Sequence, residues 1–330
     1  MANTELSSLA VVNQVLSQLA VGVPGTQNYI ADRAIPGIPC DQENVSWPLF
    51  TNEALGLDQN DERAIDADPH EVLLDTIGKD SDVLTEHMLR GKIDYRRVQA
   101  AMNVGGAGAV NRLRLRYVAK VKNRILINKE KKAAAALFGS GNYGSNTGAG
   151  GDWSASATKV RDLIFSKSEA IQKACGFMPG ILLLGRKARR ALLNNPDIFA
   201  GRQYTKGGYV SDEDLALFFD LQPGNVIVGT AVTQAKASAA GKAGTPTAIW
   251  TEDSAALLYQ APPAAASDLT PSFSYRMQLT YADTGTPEKV ASWVEGIFER
   301  FVYGQTYDVK VTFGGTNGAG WLFTGITGAA

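Results

Sequence analysis

The chain has 330 residues, 45% of them hydrophobic and 20% charged, which is ordinary composition for a globular protein with a real core. Its formal net charge of -1 excludes the global basic field of many nucleic-acid binders. Two cysteines, Cys40 and Cys175, are too few for a disulfide framework, and no apolar run approaches the roughly 18 residues of a membrane span. We expect synthesis in the cytoplasm, because no secretory signal opens the chain.

The first 82 residues hold two segments that lack a core of their own. Residues 4–20 place Leu6 and Leu9 on an apolar helical stripe, which predicts an amphipathic arm that must lie on its own body or on a neighbour. Residues 35–50 are proline-rich and extended in character. Between 58 and 82 the chain carries nine carboxylates, Asp66 among them, in a long polar stretch typical of functional or partner-bound loops.

Residues 109–138 contain no glycine or proline, which predicts a helix roughly 45 Å long. Glycine-rich stretches at 105–108 and 139–151 should form flexible joints on either side. The helix carries nine basic residues, including Arg112 and Arg116, against one acid, Glu130. Two interpretations stay open: a solvated basic helix, or ion pairs with acidic segments of neighbouring copies.

The remainder alternates helices and strands, which predicts an α+β fold. We expect helices at 156–174, 187–193 and 211–219, with a short buried strand, Ile181–Leu184, before the second of them. Asn195 and Pro196 should end that second helix. Apolar runs of strand length follow at 225–229, 247–250 and 255–259, and the stretches 273–281, 293–301 and 307–313 are β-rich in character.

No motif predicts catalysis, a cofactor or a metal. The stretch from Gly180 to Gly185 places a whole strand between its two glycines, so it matches neither a Walker loop nor a dinucleotide-binding turn. Only two histidines, His70 and His87, are present, which disfavours a zinc site or a Ser-His-Asp triad. The rival hypothesis is an α/β enzyme in which Arg186 and Arg189 bind an anionic substrate.

The ordered set of segments resembles the major capsid proteins of tailed double-stranded-DNA bacteriophages. The segments that carry the resemblance span most of residues 1–320: YIADRAIPGIP at 29–39, NKEKKAAAALF at 128–138, ACGFMPGILLLGRKARRALLNNPDI at 174–198, YTKGGYV at 204–210 and YGQTYDVKVT at 303–312.

The resemblance implies an architecture. Residues 1–34 would form an N-terminal arm that reaches a neighbour, and 35–155 an extended loop and a peripheral domain built on a long spine helix. Residues 156–262 would form the axial domain, and 263–330 would return to the peripheral domain and end in a C-terminal tail.

The implied function is that of a non-enzymatic structural subunit without a cofactor. It would assemble into hexamers and pentamers of an icosahedral head that encloses double-stranded DNA, and so be located in the virion. Implied partners are other copies, a separate scaffolding protein, a portal, a decoration protein and non-specifically packaged DNA, with no membrane. An accessory decoration or tail protein stays an alternative. Candidate inter-subunit contacts are Leu6, Leu9, Trp47, Asp66, Arg112, Arg116, Arg186 and Arg189.

Overall fold

The computed structural model describes residues 11–12, 17, 20, 25, 27–50, 78–202, 210–234, 244–262 and 270–327. These residues include six α-helices, α1 (Ala31–Ala34), α2 (Tyr95–Phe138), α3 (Val160–Cys175), α4 (Arg186–Leu193), α5 (Pro196–Arg202) and α6 (Asp212–Phe218), and a 3₁₀ helix at Ser140–Asn142. The strands are β1 (Val11–Val12), β2 (Gly37–Cys40), β3 (Asn44–Leu49), β4 (Gly78–Val83), β5 (Glu86–Asp94), β6 (Thr147–Ala149), β7 (Ile181–Gly185), β8 (Val226–Gly229), β9 (Val232–Gln234), β10 (Pro246–Ala248), β11 (Ala255–Leu258), β12 (Ser274–Leu279), β13 (Lys289–Glu295), β14 (Phe298–Val311) and β15 (Gly320–Thr324).

A six-stranded sheet, β1-β13-β14-β12-β2 with β5 also on β14, is organised by the long strand β14. The first half of β14 lies antiparallel between β13 and β5, and its second half pairs with β12. The predicted β-rich character of 293–301 is confirmed: the chain reverses at Gly296 and forms the β13–β14 hairpin.

Helix α2 lies across this sheet, against β5 and β14. It begins at Tyr95, much earlier than predicted, because the Asp94 carboxylate caps it by accepting from the backbone N–H of Arg96 at 2.9 Å. The glycines interrupt the helix rather than precede it. Gly106 has a φ of 61° and a ψ of -156°, a conformation open essentially to glycine alone, and the helix kinks there.

A five-stranded sheet, β6-β15-β11-β7-β8, forms the second layer. Its centre is apolar: Leu182, Leu183 and Leu184 of β7 are fully buried, as are the four residues of β11. The continuous apolar run of β7 fits a strand covered on both faces. The predicted βα unit is confirmed, since β7 passes directly into α4, and α6 starts at the predicted Ser211 cap with a capping box.

The C-terminal part of the chain contributes to both sheets. Residues 274–311 build the six-stranded sheet, whereas strand β15 pairs with β11 and β6 and belongs to the five-stranded sheet. The division into four domains itself stays a prediction.

The described residues of the arm make contacts with their own chain. Val11 and Val12 form a short strand that pairs with Ser292 and Ala291, so the predicted helix is wrong there. The free edge of β13 supplies backbone partners, and β-branched valines suit a strand. The buried Ser17 hydroxyl accepts from the backbone N–H of Val290 at 3.0 Å.

Strands β3 and β4 pair as an antiparallel ribbon at the base of the predicted extended loop. All six residues of β4 are exposed. Strand β4 therefore adds little to the core of its own chain.

Candidate functional site

The predicted contact residues fall into three groups. Leu6, Leu9 and Asp66 lie outside the described residues. Trp47 is buried, whereas Arg112 and Arg116 are exposed on α2. Arg186 and Arg189 are brought together in one cleft.

The prediction that Trp47 contacts another subunit is wrong, because its indole is covered by its own chain. Only 4% of the residue is exposed, and it packs with Leu84, Met277 and Leu279. The Lys310 ammonium lies 5.2 Å from the ring centroid. Trp47 therefore anchors the base of the ribbon to the six-stranded sheet and offers little surface to a second copy.

Four of the nine basic residues between 109 and 138 form ion pairs inside the chain, which neither interpretation of the sequence anticipated. The acids come from segments far away in the sequence, so no local pattern could have located them. Arg114 pairs with Glu299 (2.6 Å), Lys122 with Glu288 (3.0 Å), Lys129 with Asp32 (2.5 Å) and Lys132 with Asp308 (3.1 Å). Across the described residues, Arg112 and Arg116 contact no carboxylate, and they stay candidates for contacts outside the chain.

Lys122 and Glu288 form an ion pair that is almost fully buried, with 6% and 9% of their side chains exposed. The Lys122 ammonium also donates to the carbonyl of Ala20 at 2.6 Å, and Gln305 donates to Glu288 at 3.1 Å. This pair ties the arm, the long helix and the sheet together at one point.

Glu130, the one acid of the basic run, is a buried connector. Its two oxygens accept from the backbone N–H of Ala31 and from the Trp250 indole, both at 2.7 Å. Burial raises the pKa of this carboxyl above its ordinary value, although the two donors oppose the rise. Glu130 thus joins α1 and α2 to the loop before β11.

His87 lies on β5 beneath α2, with its ring 4.4 Å from that of Tyr307. Partial burial, and then the charge of Lys132, lower the pKa of this imidazole. Its Nε2 atom is buried and makes no hydrogen bond in the described structure. Protonation of His87 therefore opposes the folded state.

Arg186 and Arg189 line a cleft of about 650 Å³ together with Arg33 and Arg190. The two predicted residues have partners in the chain, since Arg189 meets Asp212 at 2.6 Å and Arg186 meets Glu252 at 3.0 Å. Gly185 allows α4 to start here: a Cβ at this position would lie 2.2 Å from the Thr251 carbonyl oxygen. Sequence reasoning did not single out Arg33 or Arg190 as lining residues of this cleft.

Exposed apolar side chains mark a further surface. Val294 and Ile297 flank the tip of the β13–β14 hairpin with 65% and 68% of each residue exposed, and Tyr95 beside them is 43% exposed. The backbone N–H of Tyr95 donates to the carbonyl of Ile297 at 2.9 Å, so these side chains share one end of the sheet. We call Tyr95, Val294 and Ile297 the hairpin-tip patch. Large apolar groups held in water are typical of association surfaces.

In the described part of the chain, no group of three or more histidine, cysteine, aspartate or glutamate side chains is arranged to hold a metal ion. None of the described helices has the length and the apolar character that crossing a membrane requires.

Comparison with known proteins gives the fold. No protein-family model matches the chain. It is 26% identical over 231 residues to the major capsid protein of Burkholderia phage BcepMu, covering 69% of this chain and 71% of the relative. A phage-related protein from Bordetella bronchiseptica RB50 superposes with a TM-score of 0.76 at 20% identity, over 97% of this chain and 99% of the other. A virus-like particle from Pyrococcus furiosus superposes with a TM-score of 0.54 at 11% identity, over 98% of this chain and 100% of the other.

The chain has the phage capsid fold. The resemblance to the major capsid proteins of tailed phages is confirmed, and so is the α+β fold class. Together the comparisons support a structural shell subunit.

Proposed function

We propose that the chain assembles with copies of itself into the hexamers and pentamers of an icosahedral phage head that encloses double-stranded DNA. The observation that carries the proposal is the capsid fold over nearly the whole chain, joined to sequence similarity with a phage major capsid protein. The chain would act without catalysis and without a cofactor.

The hairpin-tip patch supports self-association. A neighbouring copy that covered Tyr95, Val294 and Ile297 would remove apolar area from water, at about 25 cal/mol for each Å². Each such contact is weak, but a closed shell repeats it many times, and repeated weak contacts add up to a stable particle.

The proposed partners follow from this role. A scaffolding protein, a portal and a decoration protein would bind the shell, and packaged DNA would contact it without sequence preference. Synthesis would take place in the host cytoplasm and the mature location would be the virion.

Electron microscopy of the purified chain tests the proposal. We expect rings, tubes or closed shells, whose repeating unit should fit the two sheets and the long helix. Copy number separates the role from that of an accessory decoration or tail protein, because a major shell protein should dominate a gel of purified virions. A band of only a few copies per particle would reject the major role.

Arg189 provides a sharper test of one contact. We expect Arg189→Glu to reduce assembly, because it places two carboxylates together where Arg189 now meets Asp212 at 2.6 Å. The double variant Arg189→Glu with Asp212→Arg restores attraction inside the chain. If Arg189 contacts a neighbour, the double variant should stay defective. Normal shells from the double variant would assign Arg189 to its own chain alone.

A further inference from the structure

The arginine cleft concentrates positive charge in a chain that is otherwise balanced. Arg33 from α1 faces Arg186, Arg189 and Arg190 from α4, and Asp212 is the carboxylate among the described residues that line it. The whole chain carries a net charge of only -1. A cleft with one sign of charge focuses the field and attracts counter-ions.

The four cations are unequally neutralised. Arg189 is paired with Asp212, and Arg186 with Glu252, a carboxylate that Lys187 also contacts at 3.1 Å. Arg33 donates to the carbonyl of Gly224, which carries no charge. Over the described ranges neither Arg33 nor Arg190 meets a carboxylate, and both side chains are exposed. Two guanidinium groups are therefore available to an anion.

Hydrogen bonds order the chain next to the cleft. The amide of Gln27, which precedes the lining residue Asn28, makes two hydrogen bonds with the backbone of Val232, donating at 3.2 Å and accepting at 2.9 Å. On α4, the backbone N–H of Ala188 donates to the carbonyl of Glu252 at 3.0 Å. A site whose surroundings are already ordered loses less conformational entropy on binding.

The floor of the cleft is apolar. Ile30 and Val226 are buried there, and Leu193 is half-buried. The cleft volume of about 650 Å³ lies inside the range of small-molecule sites, roughly 300–1,000 Å³. A double helix has no room inside such a cleft, whereas a small ligand with an anionic end and an apolar end fits its chemistry.

We propose that this cleft binds a small polyphosphate anion of the nucleoside triphosphate class, held by Arg33, Arg186 and Arg190. Planar guanidinium forks match phosphate oxygens in pairs. A polyphosphate carries several charges in one compact group, which suits several convergent arginines better than one carboxylate does. The apolar floor at Ile30 and Leu193 would contact the base. The site does not depend on the shell role.

Titration calorimetry at low salt tests the proposal with three probes: inorganic phosphate, tripolyphosphate and ATP. We expect affinity to rise at least 3-fold from phosphate to tripolyphosphate, and at least 3-fold more for ATP because the base covers the floor. Arg190→Ala should weaken tripolyphosphate binding at least 10-fold. The affinity of Arg190→Lys should lie between those of the wild type and Arg190→Ala, since lysine keeps the charge but lacks the planar guanidinium fork.

Arg96→Ala is the matched control, because Arg96 is also exposed on a helix and does not line the cleft. It should change tripolyphosphate binding less than 2-fold. Equal losses in Arg96→Ala and Arg190→Ala, or no saturable tripolyphosphate binding by the wild type, would overturn the proposal. Two competitors test other occupants: an acidic peptide of residues 58–68 and a short single-stranded DNA. Tighter binding of either at the Arg190-sensitive site would also overturn it.

Discussion

The five-stranded sheet and the six-stranded sheet differ in what lies at their centres. The first is built on apolar packing, with Leu182, Leu183 and Leu184 fully buried and its ion pairs outside. The second meets the long helix through an apolar cluster that includes Val118, Ile125 and Phe301, and in addition through buried charge, above all the pair of Lys122 and Glu288. A buried ion pair costs desolvation and adds little net stability, but it fixes one geometry. Loss of a buried charge should therefore damage the helix–sheet contact, whereas loss of volume should damage the five-stranded sheet.

The largest expected effect is the loss of a buried charge partner. Glu288→Ala leaves the Lys122 ammonium buried without its carboxylate, and we expect a loss of about 4 kcal/mol in the free energy of unfolding. Chemical denaturation of the unassembled chain measures it. The double variant Lys122→Met with Glu288→Leu is the control and should recover most of the loss. A single variant as stable as the wild type would contradict a charge-centred contact.

The next effect should come from a cavity in the five-stranded sheet. Leu183 is fully buried in β7, so Leu183→Ala removes packed volume, and we expect a loss of about 3 kcal/mol. Leu183→Met, which conserves volume, should cost less than about 1.5 kcal/mol. Equal losses from the two substitutions would mean that packing does not limit the stability of this sheet.

A smaller effect should depend on pH. The folded-state pKa of His87 lies below its ordinary value of 6.5. The contribution of the neutral imidazole to the free energy of unfolding is therefore present above pH 6.5 and is lost as the pH falls through the folded pKa. Thermal unfolding between pH 7 and pH 5 should show declining stability in the wild type. His87→Phe keeps an aromatic ring against Tyr307 and should flatten that part of the profile. An unchanged slope in His87→Phe would assign the acid sensitivity to other groups.

The smallest effect should come from the surface of the five-stranded sheet. Arg186→Ala should change stability by less than about 0.5 kcal/mol, because the pair is exposed and Lys187 still contacts Glu252. Differential scanning calorimetry checks it. A loss near that of Glu288→Ala would erase the contrast between the two sheets.

Local patterns in the sequence predicted the parts that local physics determines. The apolar run of β7, the Ser211 cap and the glycine-free stretch of α2 each carry their signal in adjacent residues. The buried charge network carries no such signal. Lys122 and Glu288 are far apart in the chain, and only the completed sheet brings them within 3.0 Å.

Only part of the arginine cleft could be predicted from the sequence, for the same reason. Arg186 and Arg189 lie in one basic helix, whereas Arg33 joins them from α1, far earlier in the chain. Trp47 was predicted to contact another copy, but Met277 and Leu279 from a strand distant in sequence cover it.

The most direct test of the shell role is sedimentation velocity of the purified chain, compared with the double variant Val294→Asp and Ile297→Asp. We predict that the wild type sediments as species far larger than a single 35.2 kDa chain, in proportions that grow with concentration. The variant should place charge on the hairpin-tip patch, keep its thermal midpoint and lose the large species. A wild type that stays a single 35.2 kDa species at every concentration would contradict the central claim.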